Sequence, residues 1–330
     1  MMNNYLHNYV TDFFLRFLPE QRGYSDNTIV SYKYTFILLL EFIKEKCNLN
    51  LNKLLVSDLT KEKVIQFIDY LYNEKKNSVA TVNQRLCAIH SFCKYLQRKD
   101  LVFFSLTSEI LAIETKKKVE KEVYYLNKNE IKKLFEVFNV NNSKELRDYA
   151  IVTLLYDSGA RVQELINLKT KDINFENSTV KLFGKGNKIR IIPISSQVIE
   201  ILEKYFKLFD IQKNSENIVF FNKRRVKLTR EGIKYILKKY SKLANLDYKK
   251  ITPHIFRHTK AMHLLENNVN LVYIRDFLGH ASITTTEIYA KANPEVKRKA
   301  IQNLSNEIIE EKKYNENEKE ELLNWLRTSL

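Results

Sequence analysis

The residues best suited to do chemistry are a histidine and an arginine near the start of a predicted helix. Thr252 is a favourable N-cap and Pro253 a favourable first helical residue, so the sequence predicts that a helix begins here. His254 and Arg257 are then three residues apart on one helical face, close to the positive end of the helix. Such a face is suited to bind a phosphate, although the same residues also fit an ordinary exposed helix start.

Three more basic residues lie at predicted turns or helix ends, and a tyrosine follows the last of them. Arg161 begins a helix just after Gly159, and Lys185 occupies the tip of a glycine-rich turn. His280 directly follows a helix that stops at a glycine, which is a typical C-terminal residue. Tyr289 comes nine residues later. Each of these residues has an ordinary structural explanation by itself, so their order along the chain is the informative feature.

Taken together, these motifs resemble those of the tyrosine recombinase (phage integrase) family. The ordered motifs are Ala160-Arg161-x-x-Glu164-Leu165, Gly184-Lys185-Gly186, His254-x-x-Arg257-His258, Leu278-Gly279-His280 and Tyr289. Residues 1–112 also resemble the helical core-binding domain of that family, so the resemblance covers nearly the whole chain. Phe256 and Lys260 depart from the family's usual leucine and small residue. Neither change removes a catalytic group, and Lys260 is expected to alter contacts with DNA.

The resemblance implies a reaction in which Tyr289 attacks a DNA phosphodiester. The products are a 3′-phosphotyrosine and a free 5′-hydroxyl, with Lys185 protonating the leaving 5′-oxygen. The ester energy is retained in the covalent link, so no ATP and no other cofactor is expected. The acidic residues and the three cysteines are not spaced as metal ligands, and no metal site is predicted.

The same resemblance assigns roles to the remaining members of the predicted site. Negative charge on the non-bridging oxygens of the transition state requires fixed cations and hydrogen-bond donors. Arg161 and Arg257 are expected to clamp the phosphate, since guanidinium groups bind it bidentately. His254 is expected to exchange a proton with Tyr289, and His280 to donate a hydrogen bond to the phosphate.

Further histidines and basic residues lie outside the six positions expected to be catalytic. Structural roles are expected for His258 and His263. A basic segment leads into a helix that carries Arg230, Lys234 and Lys238, which are candidates for contacts with DNA phosphates or bases. A solvated basic face explains any one of these three residues equally well.

The implied function is site-specific recombination by strand exchange through a Holliday junction. The expected partners are double-stranded DNA and further copies of the chain, two on one site and four on two paired sites. Two alternatives remain open: a type IB topoisomerase-like cleavage and religation, and a DNA-binding regulator without catalysis. No arm-type DNA-binding domain is expected, because the predicted core-binding bundle starts near residue 1, and this favours an Xer-like or simple mobile-element recombinase.

The elements that must position these residues are predicted to be mostly helical. Apolar residues recur at helical spacing after Ser25, after Thr60 and from Ser78 onward. The clearest β signal is a hairpin of Thr179–Phe183 and Ile189–Pro193 around the glycine-rich turn, and a third strand is expected at 218–221. The predicted fold class is mainly α, with a SAM-like helical bundle and an α-rich catalytic domain that holds a small antiparallel β-sheet.

Four segments are predicted along the chain. Residues 1–112 form the core-binding domain and residues 113–123, which are polar and lack apolar periodicity, form a linker. Residues 124–300 form the catalytic domain. Residues 301–330 form a C-terminal tail that is expected to contact another protomer.

Charge is distributed unevenly over the 330 residues. The chain carries 55 Lys and Arg against 39 Asp and Glu, a formal net charge of +16. Residues 116–300 alone carry +17, whereas residues 301–330 carry −3. A surplus concentrated on one segment indicates a polyanionic partner such as DNA.

The rest of the composition excludes two classes of protein. Three cysteines do not make a disulfide framework and are expected to be reduced thiols. The sequence contains neither a signal-peptide pattern nor an apolar run long enough to span a bilayer. A soluble protein of the cytoplasm is therefore expected.

Overall fold

The computed structural model describes residues 4–21, 23–117, 123–184, 188–280, 282–292, 298 and 316–329. The chain forms two compact units, Met1–Lys121 and Glu122–Leu330. In the described part of the chain, no helix is both long and apolar enough to cross a membrane.

The first unit is a helical bundle. Its helices are α1 (Leu6–Asp12, continued by a π-helical segment over Phe13–Gln21), α2 (Asp26–Lys46), α3 (Lys61–Asp69), α4 (Val79–Lys99) and α5 (Phe104–Leu111). The polar residues predicted to begin α3 and α4 do so: Thr60 and Ser78 each accept a hydrogen bond from the backbone N–H three residues ahead. The apolar stripes of the helices meet in one core rich in aromatic rings, which includes Phe13, Phe36 and Phe92.

The second unit is also mainly helical. Its helices are α6 (Lys128–Glu136), α7 (Ser143–Ser158), α8 (Val162–Ile166), α9 (Ser196–Leu208), α10 (Arg230–Leu243), α11 (Pro253–Glu266), α12 (Leu271–Leu278), α13 (Thr284–Ala292) and α14 (Glu316–Thr328). Helix α8 is shorter than the sequence indicates. The mainly α fold class with one small sheet is confirmed.

The sheet has three antiparallel strands in the order β1 (Ile173–Asn174), β2 (Thr179–Phe183) and β3 (Ile189–Pro193). The hairpin of β2 and β3 is confirmed, but the third strand expected at 218–221 is wrong. That segment forms isolated bridges only, and the buried Tyr205 hydroxyl donates to the Val219 carbonyl at 2.9 Å. The Tyr205 side chain thus occupies a backbone carbonyl that would otherwise accept a hydrogen bond from a neighbouring strand.

Two apolar clusters in this unit support the predicted site residues. The larger cluster contains the buried residues of the second half of α7 and the inner sides of the sheet, α9 and α10. A smaller cluster joins α11, α12 and α13 through Met262, Ile274 and Leu278, and it encloses the ring of Tyr289. The tyrosine is therefore held by packing between helices that are distant in sequence.

Candidate active site

Arg161 is positioned by a tight break between α7 and α8. Gly159 ends α7 with φ +56°, and a Cβ there would lie only 3.0 Å from the Phe277 ring. Arg161 is the N-cap of α8, and its backbone N–H donates to Glu164 Oε2 at 2.7 Å. Its guanidinium donates to Glu164 Oε1 at 2.9 Å and to the Gly279 carbonyl at 3.1 Å. These contacts fix its side chain between the two predicted helix breaks.

Glu164 and Arg190 form the support behind Arg161, although neither is among the residues predicted as catalytic. The buried Glu164 carboxylate accepts two hydrogen bonds from Arg190, at 2.9 and 2.7 Å. Burial alone would raise the pKa of Glu164, but the hydrogen bonds and charge of Arg190, followed by those of Arg161, outweigh it and lower that pKa. Arg190 also donates to the Phe277 carbonyl at 3.1 Å, which ties β3 to the end of α12.

Arg257 lies on α11, whose start is as the sequence predicts. Thr252 caps this helix through its hydroxyl, and Pro253 is the first helical residue. The Arg257 guanidinium is buried, donating to the carbonyls of Gly159 (2.7 Å) and Leu278. Burial and the charge of Arg161 lower the pKa of Arg257 to about 9, so the group remains a cation at neutral pH.

His280 and Tyr289 complete the same pocket from α12 and α13. The two rings lie nearly parallel with centroids 6.5 Å apart, and His280 Nδ1 is 2.9 Å from the Thr286 hydroxyl. Burial and then the charges of Arg257 and Arg161 lower the pKa of His280 to about 4, so its ring is neutral at pH 7. Tyr289 is 1% exposed, and burial raises its pKa to about 12 despite the opposing charge of Arg257.

Of the three histidines of α11, the structure places His258, and not His254, beside the Tyr289 hydroxyl. His258, expected to be structural, has its Nδ1 2.8 Å from the Tyr289 hydroxyl. His254, expected to exchange a proton with Tyr289, lies one helical turn earlier on α11. Its pKa is lowered by burial and then by Arg257 and Arg161. Among the described residues no hydrogen bond joins His254 to Tyr289; the packing of α13 against α11 selects His258 instead.

Lys185 falls outside the described residues, but the start of its turn is described. The Gly184 N–H donates to the Lys188 carbonyl at 2.8 Å, which closes the base of the turn. A Cβ on Gly184 would lie 3.7 Å from Arg161 Nη1. The base of the turn therefore lies beside the Arg161 guanidinium.

The predicted DNA-contacting residues extend from this pocket along α10. Arg230, Lys234 and Lys238 are four residues apart and exposed, so they share one face of the helix. Arg230 Nε donates to Gln163 Oε1 at 2.8 Å. Arg230 and Lys234 also contribute to the lowered pKa of His254, which shows that the basic face begins next to the pocket.

Lys260 is held inside the second unit. Its ammonium pairs with Asp157 at 2.8 Å, and its side chain is 17% exposed. It also lies over the rings of Tyr156 and Phe277. This departure from the family pattern therefore serves packing, and the expected effect on DNA contacts has no support in these contacts.

Where side chains are described, no three His, Cys, Asp or Glu groups lie close enough together to hold a metal ion. The groups that converge instead are two arginines, three histidines and a buried tyrosine. Five of the six residues predicted as catalytic are described, and all five contribute to one pocket. This combination of fixed cations beside a hydroxyl can bind a phosphate diester and present a nucleophile to it.

Comparison with known proteins gives consistent results. Residues 124–295 match the phage integrase family, and residues 12–102 match the N-terminal SAM-like domain of phage integrases. The chain is 35% identical to tyrosine recombinase XerD of Oceanobacillus iheyensis, with 85% of this chain and 93% of that protein covered. It is 31% identical to tyrosine recombinase XerC of Anoxybacillus flavithermus, with 86% and 92% covered. The fold resembles that of the XerH site-specific recombinase in a post-cleavage complex with palindromic difH substrate (TM-score 0.68, 21% identity, 83% and 78% covered).

Proposed function

The chain belongs to the phage integrase family of tyrosine recombinases, and from that membership we propose that it cleaves and rejoins duplex DNA at a specific site, with Tyr289 as the nucleophile. The observation that carries this assignment is the convergence of Arg161 and Arg257 on the pocket that holds Tyr289. Arg257 is oriented by the carbonyls of Gly159 and Leu278, and Arg161 by the Gly279 carbonyl and the Glu164 carboxylate, which prepares both guanidinium groups to receive a phosphate.

The chemistry follows from these groups. The two arginines bind the non-bridging oxygens of the scissile phosphate and stabilise the charge that grows there during attack. His254 and His280 are neutral and supply hydrogen bonds to the same phosphate. The Tyr289 oxygen forms a bond to phosphorus as the bond to the 5′-oxygen breaks, which leaves a 3′-phosphotyrosine.

Lys185 is the proposed donor of the proton to the departing 5′-oxygen. The base of its turn lies beside Arg161, which supports a position at the edge of the pocket. An alkoxide is a poor leaving group, and a donor at this edge removes that barrier without a metal ion.

The exposed face of α10 is the proposed contact for DNA next to the pocket. Arg230, Lys234 and Lys238 form a row that begins near His254, and phosphates on both sides of the cleaved bond can lie along it. The +17 charge of residues 116–300 supports the same orientation of the second unit toward DNA.

Recombination requires more than one active site, and we propose two protomers on one site and four on a pair of sites. Residues 1–112 bind DNA as the core-binding domain, 113–123 link it to the catalytic domain at 124–300, and 301–330 contact a neighbouring protomer. Pairing of two DNA sites would distinguish this function from topoisomerase-like cleavage and religation, which needs a single site.

Replacing Tyr289 by phenylalanine tests the proposal. Tyr289→Phe keeps the ring and removes only the attacking oxygen, so specific DNA binding is retained and no covalent adduct forms. The measurement is an SDS-stable protein–DNA adduct on a nicked suicide substrate, run in EDTA without nucleotide. Tyr273→Phe is the matched control, because Tyr273 is an exposed tyrosine of the neighbouring helix α12.

An adduct in Tyr289→Phe at the wild-type level would overturn the choice of nucleophile. Loss of the adduct in both variants would show that removal of any hydroxyl in this region disturbs the fold. Loss of wild-type cleavage in EDTA, restored by magnesium, would contradict the metal-free mechanism.

A further inference from the structure

Among the described residues, one side chain lies within hydrogen-bonding distance of the Tyr289 hydroxyl, and this is His258. Its Nδ1 is 2.8 Å from the hydroxyl oxygen, and the two ring centroids are 5.6 Å apart at 61°. We infer that His258 is a catalytic residue that accepts the Tyr289 proton as the phenolic oxygen attacks DNA. This inference rests on the proposed function, and it gives to His258 the proton exchange with Tyr289 that the family resemblance implies for His254.

The state of both groups fits this role. Tyr289 has a pKa of about 12 in its buried site, so it carries its proton until attack begins. Burial and then the charges of His254 and Arg257 lower the pKa of His258, so the ring is neutral, and the inferred transfer uses the tautomer whose Nδ1 is free to accept the phenolic proton. Because the phenol becomes strongly acidic only as its oxygen bonds to phosphorus, proton transfer and attack occur together.

The proposed step balances in protons and electrons. The lone pair of the Tyr289 oxygen forms the O–P bond, its proton moves to His258 Nδ1, and the P–O5′ bond breaks as Lys185 protonates the 5′-oxygen. Rejoining reverses each transfer: the 5′-hydroxyl attacks, its proton returns to Lys185, and the His258 imidazolium returns a proton to the departing phenolate. No metal, nucleotide or other co-reactant is consumed.

His254 is less suited to the same task. It lies four residues before His258 on α11, on the side that faces Arg161, Arg230 and Lys234. A histidine surrounded by these cations is placed to contact a phosphate. Among the residues that the structure describes, four titratable or charged groups lie around His258: His254 and Arg257 on its own helix, His280 at the end of α12, and Tyr289 on α13.

The chain offers a matched pair of variants for the test. His258→Asn keeps a polar atom near the former Nδ1 position and removes the basic ring. His263→Asn is the control, because His263 lies on the same helix and its Nδ1 is also 2.8 Å from a tyrosine hydroxyl, that of Tyr156. The control makes the same change to a histidine–tyrosine pair that has no part in the reaction.

Single-turnover cleavage of a nicked suicide substrate gives the main measurement. His258→Asn should cleave about 100-fold more slowly, the range of a lost general base, with unchanged affinity for DNA. His263→Asn should stay within about 3-fold of the wild type, far less than a general base contributes. In the wild type, the rate should fall as acidic pH protonates His258, and His258→Asn should lose that acidic limb.

A substrate with sulfur at the 5′-bridging position separates a proton acceptor from a proton donor. A thiol has a lower pKa than an alcohol, so a thiolate leaves without protonation. The sulfur substrate should therefore restore cleavage by Lys185→Ala and leave His258→Asn slow. A merely structural defect at His258 would change DNA affinity or slow the control equally, and it would not remove one limb of the pH profile.

Three results would overturn the inference. Cleavage by His258→Asn at or above the wild-type rate would show that the contact is only a resting position for the tyrosine. Rescue of His258→Asn by the sulfur substrate would make His258 a donor to the leaving group. Loss of the acidic limb in His254→Asn but not in His258→Asn would return the role to His254. In each case, failure of Tyr289→Phe to form the adduct would leave the proposed function standing.

Discussion

Glu164 lets two arginines stand close together in a largely buried pocket. Its carboxylate contacts Arg161 on one side and Arg190 on the other, and its side chain is only 4% exposed. One negative charge between two positive ones reduces the cost of burying Glu164 and Arg190, and the charge of Arg161, whose side chain is 34% exposed, is available to a phosphate. The arrangement explains how the site can be strongly cationic before DNA binds.

Removing Arg190 should therefore weaken the fold as well as the reaction. In Arg190→Met, Glu164 keeps a single cationic partner and the tie to the Phe277 carbonyl is lost. We expect the free energy of unfolding to fall by about 3 kcal/mol, the range for breaking a buried ion pair. Urea denaturation followed by circular dichroism gives this value, and adduct formation measured on the still-folded variant should also drop.

An exposed ion pair provides the comparison for this variant. Lys171 contacts Glu216 in a pair whose side chains are 46% and 67% exposed, so Lys171→Met should leave the denaturation midpoint unchanged. The double variant Arg190→Met with Glu164→Gln should recover part of the stability, because it removes the buried charge left behind. Equal stability of Arg190→Met and the wild type would refute the structural role given to Arg190.

At the scale of elements, the sequence predicts the helix starts and turns that are set by residues close together in the chain. The start of α11 follows from Thr252 and Pro253 alone, because capping and a fixed φ act within one turn. The hairpin of β2 and β3 follows from alternation around a glycine-rich turn. The strand expected at 218–221 does not form, because a strand must pair with a neighbouring strand whose backbone groups are free. Apolar residues alone do not provide such a neighbour.

The sequence alone does not predict the contacts that form between distant elements of the site. His258 and Tyr289 are 31 residues apart, and only the packing of α13 on α11 brings them together. The alternation of β3 does indicate that Arg190 faces inward. It lies on the same side of the strand as the buried Ile192, and it pairs with the buried Leu182 of β2. A basic residue on the inner face of a strand requires a buried partner, which here is Glu164.

The basic face of α10 gives a prediction at the same scale. Lys234→Gln with Lys238→Gln should reduce the slope of log affinity against log salt by about two, since each phosphate contact releases about one counterion. The exposed lysines Lys204 and Lys207 of α9 form the control pair, which removes the same charge elsewhere. Filter binding at several salt concentrations measures both slopes. Equal slopes for the two double variants would mean that α10 acts only through net charge.

At the scale of the whole molecule, charge separates the chain into regions with different partners. Residues 1–115 carry a net charge of +2, residues 116–300 carry +17 and residues 301–330 carry −3. A duplex attracts the middle segment and repels the last one. The C-terminal segment is therefore better suited to contact protein than DNA.

Helix α14 has the surface that such a contact requires. Four large apolar residues of this helix are at least half exposed: Leu322, Leu323, Trp325 and Leu326. Leu322, Trp325 and Leu326 lie three and four residues apart, so they share one face. An exposed apolar stripe on an acidic helix is typical of a surface that another protein covers.

Deleting residues 313–330 should therefore leave binding to a single DNA site nearly intact and weaken assembly of the paired-site complex. The expected reason is that the exposed apolar face of α14 would lie between protomers, whereas its four glutamates outnumber Lys319 and Arg327 and disfavour contact with DNA. Gel-shift titrations on one-site and two-site substrates, together with a recombination assay, measure the two steps separately. Trp325→Ala in the full chain should show the same selective loss in milder form, because it removes one large apolar side chain and no charge. Equal losses in both binding steps would mean instead that the tail stabilises its own unit.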